Sequence, residues 1–203
     1  MKQLTILLTL ITSWTTVYSQ DSVSVIKFKD ITVEIRYLAP IDQNELKTVF
    51  SDKAEFTADL GETLESSVIA IKTEKYKDIE IHQAIETSVT IMNEGPHCDL
   101  TNWKHYTSDW RKVKTLKSNT FQVTGYQNGE SKQFPKVSIQ EVKDAVQEQC
   151  GEEWAKHIKD IKSIYDYPCE IGVSRYFLKI KATDKVSGDK IEKTIVVLIP
   201  MGC

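Results

Sequence analysis

With 203 residues, 40% of them hydrophobic and 27% charged, the chain is too long for a miniature that depends on disulfides and too apolar for a disordered one; its length suits a single globular domain. The formal charge of −3, with Lys and Arg scattered among Asp and Glu, excludes the basic stripe that nucleic-acid binding requires and makes a polyanionic partner unfavourable.

Residues 1–19 carry the grammar of a secretory leader. Lys2 supplies a positive start, the Leu4–Trp14 stretch a short apolar core, and Val17 and Ser19 the small residues ahead of a cut before Gln20. That core is about half the roughly 20 apolar residues a membrane span needs, and no later run reaches that length. The expectation is a single exported domain, 20–203, secreted or periplasmic, with no membrane span once the leader is removed. Losing Lys2 makes its charge about −4.

In chain order, Val23–Phe28 and Ile31–Leu38 read as strands, the second alternating Ile31, Val33, Ile35 and Tyr37 with polar residues. Asp42–Phe50 reads as a short helix, with Asp42 as N-cap and Glu45 three residues on. The stretch to Thr63 is weakly patterned, and Ser67–Lys72 reads as a strand. Residues 78–92 fit either period. Their content of Ile, Val and Thr favours one long strand, bulged near Gln83. Glu94–Ser108 reads as loop with a helical turn, and Arg111–Leu116 with Thr120–Tyr126 as a strand pair. Ser138-Ile139-Gln140-Glu141 is a capping box. The helix it opens, about 139–162, places Val142, Val146, Cys150, Trp154, Ile158 and Ile161 on one stripe, interrupted by Gly151. Arg175–Ala182 and Ile191–Ile199 form a C-terminal hairpin, its second strand apolar on both faces and so central. The resulting fold class is α+β: one mixed, mostly antiparallel sheet with a long amphipathic helix packed on it.

Cys98, Cys150, Cys169 and Cys203 allow three pairings. The hairpin register brings Cys169 toward the end of the chain, which favours Cys169–Cys203 and leaves Cys98–Cys150. The second bridge would close a long loop, worth roughly 3–5 kcal/mol in the chain-entropy model.

Chemistry-bearing residues concentrate between Asn93 and Trp110. His97, Asp99, His105 and Asp109 are of the right types for zinc, but their spacing matches no metal motif. Cys98 beside His97 or His105 has the elements of a nucleophile and base, although an even cysteine count in an oxidising compartment argues for a disulfide. Trp103, Tyr106 and Trp110, spaced three and four apart, would share one side of a helix and form an aromatic binding platform, with His97 and His105 at its rim. The ordinary alternative is that these rings fill the core. Glu152, Glu153 and His157 read as a solvated helix face. No glycine-rich phosphate loop, nucleophile elbow or His-Glu-x-x-His motif occurs, and nothing calls for a cofactor or a catalytic residue. These features point to an exported, disulfide-braced, non-enzymatic domain that binds a protein or a glycan. The alternatives are a secreted hydrolase working through the His97–Asp109 segment, with or without zinc, and a periplasmic inhibitor or immunity-type protein.

Overall fold

The computed structural model describes residues 23–36, 46–58, 63–125 and 133–201. Along the chain run β1 (Val23–Lys27), β2 (Thr32–Arg36), β3 (Leu46–Thr48), β4 (Lys53–Thr57), β5 (Val68–Lys72), β6 (Tyr76–Ile91), β7 (Cys98–Asp99), β8 (Tyr106–Thr107), β9 (Arg111–Lys112), β10 (Lys114–Lys117) and β11 (Thr120–Gln122). After these come α1 (Ile139–Cys150), α2 (Glu152–His157), β12 (Cys169–Asp184) and β13 (Lys190–Leu198).

These strands form two sheets, not one. Sheet A has the order β10-β11-β5-β2-β1-β3, and sheet B the order β4-β13-β12-β6-β7, with β8 and β9 also paired to β6. Their inward faces meet in a sandwich. Ile26, Val33, Ile35, Ile69 and Phe121 come from sheet A, and Ile81, Ile85, Tyr176, Leu178 and Val197 from sheet B. Sheet B is the longer, and beyond the end of sheet A its inward face is covered by α1. There Val89, Ile91 and Ile171 pack with Val142, Ala145 and Val146 in a second core.

The α+β expectation with a long helix over 139–162 is therefore overturned: of the described residues, 48% lie in strands and 12% in helices. The capping box is present, with the Ser138 hydroxyl accepting from the Glu141 N–H and the Glu141 carboxylate accepting from the Ser138 N–H. The helix it opens stops at Gly151, whose φ of 91° and ψ of 178° lie in a region that side-chain-bearing residues avoid. A six-residue turn of helix follows on a new axis. The predicted stripe survives only as packing: Val142 and Val146 come from α1, whereas the fully buried Ile158 lies just past the end of α2.

Two local readings are also corrected. Of the expected helix Asp42–Phe50, residues 42–45 lie outside the described residues, while Leu46–Thr48 is a strand paired in parallel with β1; sheet pairing has overridden helical periodicity there. The weakly patterned stretch contains β4, in which buried Ala54 and Phe56 alternate with exposed Lys53, Glu55 and Thr57. Its five residues add a parallel edge strand to β13.

The expected long strand over 78–92 is present as β6, paired to β12 along nearly its whole length. The bulges lie elsewhere than Gln83. One falls on β6 at Asp78, where φ is +52°, and the other on β12, where Ser174 is the extra residue between the pairs Val173–Thr87 and Arg175–Glu86. The bulge at Ser174 switches which side chains face inward. Before it, Ile171 and Val173 pack inside; after it, Tyr176, Leu178 and Ile180 do. Arg175 is thereby turned to the outer face.

The Cys98–Cys150 bridge is formed, its Cα atoms 6.0 Å apart across a separation of 52 residues, and it ties the C-terminus of α1 to β7. Cys169 is a buried thiol whose pKa is pushed up to about 11, first by burial and second by the charge of Asp166; its expected partner, Cys203, lies outside the described residues. No helix among the described residues is long and apolar enough to cross a membrane.

Gly151 gives a sharp test of the interrupted helix. Were the helix continuous, Gly151→Ala would stabilise the protein by up to about 1 kcal/mol. Space is open around a Cβ at this site but the backbone angle is not, so Gly151→Ala is expected to cost about 1–3 kcal/mol in urea unfolding.

Candidate functional site

The segment that the sequence marks as chemically dense runs antiparallel along the free side of β6. It touches β6 through β7, β8 and β9, and the N–H groups of Leu100, Ser108 and Val113 donate to the carbonyls of Val89, Ile85 and Ile81. It is a broken edge strand and contains no helix, because its backbone groups are used by the sheet. The three-and-four spacing of the aromatics therefore does not bring them together.

Trp103 and Tyr106 pack against the second core beneath α1. Trp110 lies on the opposite, outer face of sheet B and is 44% exposed. Its ring meets Phe177 edge-on at 6.5 Å, and the Lys179 Nζ lies 4.3 Å from its centroid. His97 is half-buried, with an Nδ1 that has no hydrogen-bond partner. His105 is exposed, its Nδ1 3.1 Å from the Trp103 carbonyl and its Nε2 3.7 Å from Glu86 Oε2. Asp99, considered as a metal ligand, accepts a hydrogen bond from the Thr90 hydroxyl. Among the described residues, no three His, Cys, Asp or Glu side chains gather as a metal ion would require. Cys98, considered as a nucleophile, is held in the disulfide.

What the structure assembles instead lies on the outer face of sheet B. Glu86, 4% exposed, stands opposite Arg175 in the β6–β12 ladder. The Arg175 Nη1 donates to Glu86 Oε1, and its Nη2 donates to the Asn102 Oδ1 at 3.2 Å. The Ser174 hydroxyl lies 3.5 Å from the same carboxylate and accepts from the Ser88 hydroxyl at 2.8 Å. A buried carboxylate needs a partner and saturated lone pairs to remain charged, and this network supplies both. Arg175 lines a cleft of about 640 Å³. Its polar wall is Asp99, Thr101, Asn102 and Arg175; Phe177, Val196 and Leu198 form an apolar floor; and Lys53, Glu55 and Thr57 of β4 form the far rim. A concave surface that combines apolar area with polar groups is a common form of small-ligand site.

Lys104 ties the wall to the helical layer through a hydrogen bond to Glu141. That bond first, and then the Ser138 N–H and hydroxyl, hold the Glu141 carboxyl well below its ordinary 4.5, at about 2.

No protein-family model matches the sequence, no curated protein is similar to it, and no solved structure matches its fold.

The sequence did not point to Glu86, Arg175, Asn102 or Phe177. One signal was available: a carboxylate in the middle of an apolar, β-branched run (Ile85-Glu86-Thr87) must either end the strand or find a buried cation. Which cation answers it depends on the register and the bulge.

Two expectations follow. Arg175→Met leaves Glu86 buried and unpaired and is expected to cost about 3 kcal/mol in urea unfolding, with most of that loss recovered when Glu86→Leu is added. For Glu141, the folded-state value lies below the ordinary one, so its contribution to stability is complete above about pH 4.5 and drains away as pH falls toward 2. Carboxyl carbon NMR should show Glu141 titrating near 2 in the parent protein and nearer 4.5 in Lys104→Met.

Proposed function

We propose that this is an exported, disulfide-braced binding domain that seats its ligand in the outer-face cleft of sheet B. One observation carries the reading: a part-buried charge pair, Glu86–Arg175, holds a guanidinium in the lining of a cavity that has both polar and apolar side chains. A network of this kind is costly to desolvate and adds little that an apolar pair would not, whereas it fixes donors rigidly beside an open cleft. Of the aromatic residues expected to bind, Trp110 lies on this face, next to Phe177. Trp103 and Tyr106 serve the fold beneath α1 and brace the wall from behind, and His105 stands beside Glu86 at its edge.

The leader supports export, and the Cys98–Cys150 bridge suits the oxidising compartment it leads to. Residues 1–19 lie outside the described residues.

The test does not require the natural ligand. Amide spectra of the mature domain would be recorded with indole, phenol, cyclohexanol and acetamide, each at high concentration, since small probes collect where a protein binds. The expected result is clustered shifts at Thr57, Asn102, Phe177, Val196 and Leu198. Clustering elsewhere, or scattered weak shifts, overturns the reading. Expression of the full chain in an exporting host should yield a mature protein that begins at Gln20; retention of the leader would remove the exported part of the proposal.

A further inference from the structure

Charge, exposed groups and position in the fold each narrow what the cleft can hold, and together they name a ligand class. The charged side chains of the lining are already engaged. Lys53 and Glu55 pair at 3.3 Å, Arg175 pairs with Glu86, and Asp99 accepts from Thr90. With Glu86 counted, two cations, Lys53 and Arg175, face three carboxylates, Glu55, Asp99 and Glu86, so the cleft offers no attraction to an anion such as a phosphate. What remains is hydrogen-bonding capacity. A guanidinium has five N–H donors; Arg175 directs Nη1 to Glu86 and Nη2 to Asn102. The Asn102 amide nitrogen and the Thr57 and Thr101 hydroxyls stand along the same surface. Arg175 and Asn102 hold one another in place before any ligand arrives.

Beneath them lies an apolar floor. Phe177 presents a ring edge-on to Trp110, and the aromatic strip continues past the cleft toward Lys179. A molecule that carries hydroxyls on its rim and C–H groups on its faces satisfies both surfaces at once, each hydroxyl acting as donor and acceptor.

Position in the fold disfavours a peptide. An extended peptide gains its affinity from main-chain pairing at a sheet edge. The floor of the cleft lies over β13 and β12, whose backbone groups are used in the ladders to β4 and β6; among the described strands around it, the free edge belongs to the rim strand β4. A peptide seated there would bring polar backbone that the side-chain surface meets only in part. A flat protein surface, for its part, would leave a cavity of about 640 Å³ unfilled.

We infer that the cleft takes a neutral oligosaccharide, with Arg175 and Asn102 contacting adjacent ring hydroxyls and Phe177 packing against a ring face. The inference rests on the binding reading above. It would be tested by titrating the labelled mature domain with cellohexaose, maltohexaose, xylohexaose and the hexamer of N-acetylglucosamine. Hexagalacturonate and a neutral Gly-Ser-Tyr hexapeptide serve as comparators.

The expected result is saturable shifts of the Arg175 Nε–H, the Asn102 side-chain amide and the Phe177 amide with at least one neutral sugar, at a Kd of roughly 1 mM or tighter. Phe177→Ala should weaken that binding by about tenfold or more. Asn102→Ala, which removes the Nη2 partner of Arg175 together with a donor to the ligand, should weaken it as well. Tighter binding of hexagalacturonate overturns the neutral assignment. Shifts from the hexapeptide alone, or no sugar response while the solvent probes still collect in the cleft, overturn the oligosaccharide and leave the binding cleft standing. Failure of sugars and solvent probes together removes both.

Discussion

From Gln83 to Ile91 every residue of β6 is buried, and several of them are polar. This is the constraint on which the surrounding structure depends. A fully covered strand satisfies its backbone through the ladders on either side, but each buried polar side chain must find its own partner or cost about 1–3 kcal/mol. Gln83 meets the Thr124 backbone, donating to its carbonyl at 2.6 Å and accepting from its N–H at 2.9 Å. That contact fixes where the chain leaves β11 and locks the two sheets together. Glu86 meets Arg175, Ser88 meets Ser174, and Thr90 meets Asp99, while the buried Thr87 hydroxyl has no hydrogen-bond partner. The placement of β7, the bulge in β12 and the exit of β11 can each be read as an answer to one of these side chains.

The bulge at Ser174 shows how one residue couples fold and site. It places the Ser174 hydroxyl against Ser88 and resets the alternation of β12, so that Tyr176, Leu178 and Ile180 fill the sandwich core while Arg175 and Phe177 face the cleft. Without it, Arg175 would follow Ile171 and Val173 toward the interior, and Glu86 would have no cation on its own face. The disulfide acts at the next level. It anchors β7 to the end of α1, and Lys104 adds a polar tie to the start of the same helix, so the Asp99–Asn102 wall is secured from both ends of α1. A rigid wall over a rigid sheet face limits what a ligand must order on binding.

The aromatic segment was the most conspicuous feature of the sequence, and it is divided between two tasks. Trp103 and Tyr106 fill space under the helical layer, and Trp110 faces outward. A spacing of three and four implies one face only if the segment is helical. Here the open edge of β6 was the stronger claim on its backbone, and along an edge strand with excursions such spacing carries no common direction. Arg175 was hidden for the opposite reason: in sequence it is one more charged residue in a hairpin strand, and it becomes part of a site only through Glu86, 89 residues away.

The sequence by itself determined what rests on local chemistry and on period. It yielded the two-residue alternation of β2, β5 and β6, the capping box at Ser138 and the central apolar strand β13. All of these depend on neighbours along the chain, whereas cysteine count alone left three pairings open. Tertiary structure decided how many sheets there are, where the helix stops, which face each aromatic occupies and which carboxylate meets which cation. Strand pairing across long separations, and single-residue bulges that reverse every side chain beyond them, leave almost no trace in the composition of the segments they join.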